Sequence, residues 1–352
     1  GGVGLSLAQW MVHGEPEGDI FGFDVARYGD FASNPDYLKA KTAEFYSRRF
    51  VLTYPNEQLP AGRPLRTSAA HDAMKADGAQ FGSIWGLEAP LYFAPTPDFE
   101  ETPTLKRSNA HPVVGAEVTA TREGVGMIDT SAFARYEITG PGAREWLAHL
   151  LACRVPEAGR VRLAPMLSPS GRLMGDMTVL AWANDRFWLM GSYYLRSWHM
   201  RWFEQHAPAD GGVTIRDVSD TYGGFALAGP KARDVLQAVT EADISNDAFR
   251  FMRCRTLDIG RVRAQVARLS VTGELGYEIN VTMPEHLTLY RTLLEAGDAF
   301  GLRQIGFGAL NALRLEKSFG IWSAEYAWSY TPGMSGLDRF VAFDKPDFNG
   351  RD

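Results

Sequence analysis

Residues 268–280 read RLSVTGELGYEIN and set two carboxylates, Glu274 and Glu278, in a segment patterned as the turn and return strand of a buried hairpin. A glutamate in an apolar strand is costly to bury unless it is paired or hydrogen-bonded. Each acid therefore either faces water or grips a polar group. Glu274 falls in TGELG, whose glycines mark a tight turn and where a solvent-facing acid is the default. The two acids are an even number of residues apart and would share a face of an unbroken strand; the region of Gly276 is expected to break that alternation. Asp176, in GRLMGDMTVL, also interrupts an apolar strand. On pattern alone it reads as a polar residue on the exposed face of an antiparallel hairpin. Other chemistries find less support. Cys153 and Cys254 have no CxxC pairing, and the seven histidines show no HxH or HExxH spacing. Neither a disulfide framework nor a metal site is expected.

The whole chain is consistent with a soluble globular protein. Its 352 residues are enough for two or three domains. A hydrophobic share of 45% and a charged share of 22% are ordinary for a protein with sizeable cores. A net charge of −6 argues against a nucleic-acid partner, which would call for a basic face. No apolar run approaches the ~20 residues of a membrane span, and the first residues lack the basic segment and cleavage site of a signal peptide. Unpaired cysteines fit a reducing compartment, so the expected location is the cytoplasm, or the mitochondrial matrix in a eukaryote.

The elements that must position these acids can be read from punctuation and period. Leu5, Leu7, Ala8 and Met11 form a helical stripe that ends near HGEPEGD. Asn34 and Pro35 open a second helix running to about Phe45. TSAAHDAMKADGAQFGSIWG reads as a short helix and a glycine-rich turn. The four prolines of residues 95–113 mark a linker. Beyond it, SGRLMGDMTVLAWANDRFWLMG and RAQVARLSVTGELGYEINV read as hairpins, and PEHLTLYRTLLEAGDAFG as an amphipathic helix. YEITGPGAREWLAHLL and FALAGPKARDVLQAVT share one pattern: strand, Gly-Pro, then helix. This echo predicts two similar units. The fold class is α+β, antiparallel sheets flanked by helices.

GVGMIDTSAFARYEITGPGAREWL, SGRLMGDMTVL, TGELGYEINV and ALNALRLEKSFGIW resemble, in this order, the folate-binding aminomethyltransferase fold of the glycine cleavage T-protein. GGVGLSLAQWMVHGEPEGDIFGFDVARY resembles the tail of the FAD-binding domain of dimethylglycine and sarcosine dehydrogenases, and YLKAKTAEFYSRRF with the residues up to GLEAP resembles their connecting region. The resemblance implies three regions. Residues 1–30 would be a remnant of the FAD oxidoreductase domain, 31–100 its central connecting region, and 110–352 an aminomethyltransferase-like region lacking its last β-barrel domain. No GxGxxG sits at a strand-to-helix junction, so FAD is expected only in a longer enzyme. The implied function is tetrahydrofolate binding and capture of a one-carbon unit from an N-methylamine as 5,10-methylenetetrahydrofolate. The rival expectations are a non-catalytic folate-binding regulator of the same fold and a structural partner of an oxidase.

The resemblance also implies roles for particular residues. Asp176 matches the family's key aspartate near the reactive nitrogens of tetrahydrofolate. Glu278 matches the glutamate that accepts two parallel hydrogen bonds from the guanidine-like edge of the pterin, N3–H and the 2-amino group. Thr178 and Gly191 match positions lining the folate, the latter after a one-residue shift. Tyr277 is a candidate for packing on the ligand, with the core as its alternative. Arg314 and Glu316 resemble the helix behind the pocket, with a structural salt bridge as the alternative. Two departures stand out. Val271 replaces a tyrosine frequent in the dehydrogenase relatives, and Leu310 stands where T-proteins carry an arginine that could meet the folate tail. Gly1, Gly2 and Gly4 match a flavin-facing turn, expected here to be a helix start without a ligand.

Overall fold

A computed structural model describes residues 1–322 and 324–351. The chain opens with α1 (Gly2–His13), which stops at Gly14 in the left-handed conformation, φ 80°. α2 (Pro35–Ser47) starts as the sequence predicts: the Asn34 side chain accepts from the N–H groups of Asp36 and Tyr37, and Pro35 lies in the first turn. α3 (His71–Ala76) follows. Then comes a hairpin that the sequence reading did not foresee, β1 (Ala79–Ile84) paired with β2 (Leu87–Phe93). Trp85 and Gly86 turn it, both at positive φ, a geometry usually signalled by Asn-Gly or Asp-Gly. α4 (Ala110–Glu123) begins inside the proline-rich stretch expected to be a linker. Pro112 is tolerated there because N–H groups of a first helical turn have no intrahelical partner.

Next come β3 (Gly126–Asp129), β4 (Phe133–Thr139) and α5 (Ala143–Leu150). They lead to β5 (Val161–Leu167), β6 (Leu173–Ala181), β7 (Arg186–Ser192), α6 (Arg196–Gln205) and β8 (Thr214–Asp217). The pattern then restarts with β9 (Tyr222–Ala228), α7 (Ala232–Gln237), β10 (Arg253–Ile259), β11 (Val262–Arg268) and β12 (Gly276–Thr282). α8 (His286–Asp298), β13 (Arg303–Gln304) and α9 (Phe307–Glu316) complete it.

Each of two units is assembled from separated segments. The first comprises Gly1–Gly29, Ala134–Asp217 and Gly320–Asp352; the second comprises Asp30–Phe133 and Val218–Phe319. The proline-rich stretch therefore lies inside the second unit. The first unit has a five-stranded sheet in the order β5-β6-β7-β4-β8, over a core that includes Tyr136, Leu147, Met177, Phe187 and Phe203. The second has a six-stranded sheet in the order β10-β11-β12-β9-β3-β13, over a core that includes Phe225, Phe249, Val266, Tyr277 and Leu293. Its β13 runs parallel to β3, and its other pairings are antiparallel.

The echo in the sequence is a repeat in the structure. β4–α5–β5–β6–β7 and β9–α7–β10–β11–β12 follow the same path, and in each the last strand of the meander returns to pair with the first. Both strand-to-helix turns need a glycine: Gly140 at φ 121° and Gly229 at φ 126°. A proline follows each one, Pro141 and Pro230, just before the N-cap of the helix. Both meanders lead through one turn of 3₁₀ helix into a longer helix. The second does so by a capping box, with the Thr282 hydroxyl 2.6 Å from Glu285.

Candidate functional site

In the second unit, β12 is buried on both faces. Tyr277, Ile279 and Val281 enter the core, and Glu278 lies on the opposite face by the two-residue period of a strand. Glu278 is 7% exposed. Its cross-strand partners are Ala226 on β9 and Ala267 on β11. The small neighbours leave a pocket of about 360 Å³, open solvent at its mouth included, in which Glu278 meets Ile128, Thr130, Phe133, Ala226, Ser270, Thr272 and Leu310. Its walls are otherwise mainly apolar, and the hydroxyls of Ser270 and Thr272 lie 3.1 Å apart beside the carboxylate's strand. Leu310 packs with Ile128, Ile305 and Leu313, so the wall is apolar where T-proteins were expected to carry a cation. A carboxylate in such a setting is suited to a planar donor edge that offers two parallel N–H groups.

The other candidates of this unit lie away from the pocket wall. Tyr277 is 0% exposed; its ring packs near Phe249 and its hydroxyl accepts from Arg233 Nε at 3.0 Å. It is a core residue, because it faces the side of β12 opposite Glu278. Arg314 is buried and donates to the carbonyl of Phe319 at 3.0 Å and to Asn311 at 3.3 Å, closing the end of α9. Glu316 pairs with Arg122. Glu274 is less solvent-facing than expected: its side chain is 23% exposed and lies 3.6 Å from Lys317 Nζ. It precedes β12, so the alternation that would have put it on the face of Glu278 is interrupted.

Asp129, Ser131 and His286 form a cluster the sequence reading missed. The Asp129 carboxylate accepts from the Ser131 N–H at 2.7 Å and the Ser68 hydroxyl at 3.2 Å. Burial acts to raise its pKa, yet His286 and Ser131 hold it below the usual range. Ser131 Oγ and Asp129 Oδ1 approach the same imidazole nitrogen, Nε2, at 3.2 and 3.7 Å. A nucleophilic triad needs the two on opposite ring nitrogens. With Asp129, Ser131 and His286 all buried, the cluster is a scaffold that fixes the turn after β3.

In the first unit, Asp176 sits at the centre of β6 opposite Pro165 of β5. It is half-buried, and burial pushes its carboxyl up to about 7, against a hydrogen bond from its own backbone. Thr178, two residues on, shares its face. The Tyr326 hydroxyl is raised first by burial and then by the negative charge of Asp176; its segment, SAEYAWSY, carried no signal of this. Gly191 has a packing reason to be glycine: a Cβ there would stand 2.8 Å from Met177 Sδ and 3.3 Å from His199 Cε1. His199 fills the space that Gly175 and Gly191 leave. It is fully buried, bonded at Nδ1 to the Tyr136 hydroxyl at 3.0 Å, and burial depresses its pKa to about 3. Among the described residues no group of acids, histidines and cysteines could hold a metal ion, and no helix is long and apolar enough to cross a membrane.

Comparison with known proteins identifies the class. The GCVT N-terminal domain family matches residues 70–345, and the chain belongs to that family. Residues 13–68 match the FAD dependent oxidoreductase central domain. The mitochondrial dimethylglycine dehydrogenase of Mus musculus is 36% identical over 355 residues, covering 100% of this chain and 41% of that protein. The mitochondrial pyruvate dehydrogenase phosphatase regulatory subunit of Mus musculus is 30% identical over 362 residues, with the same two coverages. The chain thus spans 41% of the length of these curated relatives. The glycine cleavage system aminomethyltransferase T from Bartonella henselae superposes with a TM-score of 0.69 at 23% identity, over 82% of this chain and 73% of that one. At that identity the likeness shows the α+β fold.

Proposed function

We propose that the chain is the tetrahydrofolate-binding portion of an N-methylamine dehydrogenase of the dimethylglycine or sarcosine type, working within a longer polypeptide that oxidises the methyl group with FAD. The observation that carries this reading is Glu278, a buried carboxylate between two alanines on the wall of a mainly apolar pocket. A carboxylate offers two parallel acceptors, and the guanidine-like edge of a reduced pterin offers two donors in the matching fork geometry. Bound tetrahydrofolate supplies amine nitrogens that take up a one-carbon unit as 5,10-methylenetetrahydrofolate. Glu278 holds the pterin edge, and Thr130 and Thr272 offer hydroxyls beside it. In the first unit, burial holds the Asp176 carboxyl near neutrality, the range in which a carboxyl can take or give a proton in one-carbon transfer. A group that titrates near the working pH is suited to that transfer.

The test compares two acids. Glu278→Gln turns one acceptor into a donor facing a donor, and tetrahydrofolate affinity by anaerobic calorimetry should fall about tenfold to several hundredfold. Glu274→Gln should change it by less than about twofold. Weaker binding in Glu274→Gln alone assigns the other acid, and no change in either removes the folate reading. A regulatory role without transfer is the second reading, favoured by the similarity to the phosphatase regulatory subunit over the whole chain. Under it, Asp176→Asn would leave every measurable activity of the assembled protein unchanged.

A further inference from the structure

The last segment of the first unit is a strap fastened along the end of α5. The Ala342 N–H donates to the Ala152 carbonyl at 2.9 Å, and the Asn349 N–H to the His149 carbonyl at 3.0 Å. Between them the buried Lys345 ammonium donates to the carbonyls of Ala148, Leu151 and Cys153, at 2.5, 2.7 and 3.1 Å. A cation is favoured there, because the last carbonyls of a helix lack intrahelical partners and form its negative pole. Asp344 pairs with Arg154 and Asp347 with His149 on either side. Gly350, at φ 79°, then seats its backbone against the turn between β5 and β6. A Cβ at Gly350 would stand 2.4 Å from the Ser168 carbonyl oxygen and 3.0 Å from Gly171 Cα.

The residue that enters this seat is chemically unstable. Of the eight asparagines, Asn349 is the one followed by glycine. In that dipeptide the next backbone nitrogen attacks the side-chain amide most readily, because glycine has no side chain to shield it and leaves the chain free to rotate. Other asparagines are blocked or held. Asn34 precedes proline, whose nitrogen carries no hydrogen to lose. Asn109, Asn246 and Asn311 are hydrogen-bonded through their side chains. Asn349 Nδ2 is buried with no hydrogen-bond partner, so nothing holds the leaving group. Among the described residues, none accepts from the Gly350 N–H.

We propose that Asn349 and Gly350 form a self-modifying site whose conversion to isoaspartate unfastens the strap. The Gly350 nitrogen loses its proton and bonds to Asn349 Cγ; the Cγ–Nδ2 bond breaks, and ammonia leaves with that proton. Water then opens the cyclic imide. Addition at Cγ gives aspartate. Addition at the backbone carbonyl gives isoaspartate, whose main chain runs through Cβ and Cγ and is one carbon longer. The seat of Gly350, closed by Ser168 and Gly171, has no room for that carbon. The strap lifts, and Lys345 withdraws from its three carbonyls. The proposal rests on this strap alone and is independent of the folate reading.

The test ages the purified protein in mildly alkaline buffer and maps its peptides by mass spectrometry. The peptide carrying residue 349 should gain the mass of an amide-to-acid conversion and split into two isomers. Asn56 and Asn184, exposed and followed by acids, should stay intact over the same interval. Lys345, protected from acetylation in fresh protein, should be acetylated after ageing as fully as in protein unfolded in urea. Asn349→Gln, whose longer side chain cyclises far more slowly, should protect Lys345 when fresh and keep doing so through the same ageing. Three results overturn the proposal: Asn349 still intact when the urea-unfolded chain has converted, a converted chain whose Lys345 stays protected, or an aged Asn349→Gln protein that loses the protection.

Discussion

Glu117 is 0% exposed. Its Oε1 accepts from the Phe93 N–H at 2.7 Å and its Oε2 from the Gly306 N–H at 2.9 Å. It thus ties α4 to the end of β2 and to the start of α9, the helix whose Leu310 lines the Glu278 pocket. Burial pushes its pKa from 4.5 up to about 7, against the pull of those two donors and of Arg303. The folded chain therefore keeps a proton that the unfolded chain releases between pH 4.5 and about 7. The associated stability is present in full below that window and is lost as pH rises through 7. The difference corresponds to about 3 kcal/mol. Glu117→Gln cannot ionise, so it removes this dependence. It also sets an amide NH₂ against a backbone N–H, losing one hydrogen bond worth about 1–3 kcal/mol at every pH. The variant should be less stable than the parent at pH 5, and the gap should close or reverse at pH 8. Urea unfolding at both pH values, with hydrogen exchange at the Phe93 and Gly306 amides, reads this directly. A stability difference that is the same at pH 5 and pH 8 would refute the reasoning.

Two further expectations concern the first unit. Asp176→Asn should slow one-carbon transfer in the assembled protein about 10²–10⁴-fold at saturating folate. The bend near pH 7 in the parent's rate profile should vanish in the variant; an unchanged rate and profile would make Asp176 a sheet-surface residue. Gly191→Ala brings a methyl within 2.8 Å of Met177 Sδ and should cost about 1–3 kcal/mol by thermal unfolding, with folate affinity unaltered. A fall in affinity without loss of stability would instead mean that the ligand needs close approach to this backbone.

Where the sequence carried stereochemical punctuation, it was legible. Asn34-Pro35 opens a helix, the Gly-Pro turns mark both halves of the repeat, and the hairpins of β6–β7 and β11–β12 follow runs of strand formers on either side of turn residues. The β1–β2 hairpin escaped because a tryptophan, which pays a steric cost at positive φ, turns it in place of asparagine. α4 escaped because its β-branched residues and Pro112 weaken the helical signal, while its burial against neighbours supplies the stability. The chemical type of Glu278 was visible, but the role of its neighbour Tyr277 was not: a strand buried on both faces shows no polar alternation to say which side faces a ligand. Gly191 is explained by His199, a residue of a different element that no local pattern connects to it.

The interleaving of the two units also constrains how the chain can be synthesised. β3 pairs with β9, roughly a hundred residues later in the chain. During translation the first half of the second unit must therefore wait, β3 without its neighbours, while the whole middle segment of the first unit emerges. At about 5–20 residues per second that interval is on the order of 5–20 s. It is long compared with the microsecond closure of the β6–β7 hairpin, whose partners are adjacent. The meander of residues 161–192 can thus form while the segment from Asp30 to Phe133 still exposes apolar surface. A slower stretch of translation soon after residue 228 would lengthen the window in which β9 can find β3. A premature stop before that residue would leave β3 without its partner and the chain a client for chaperones.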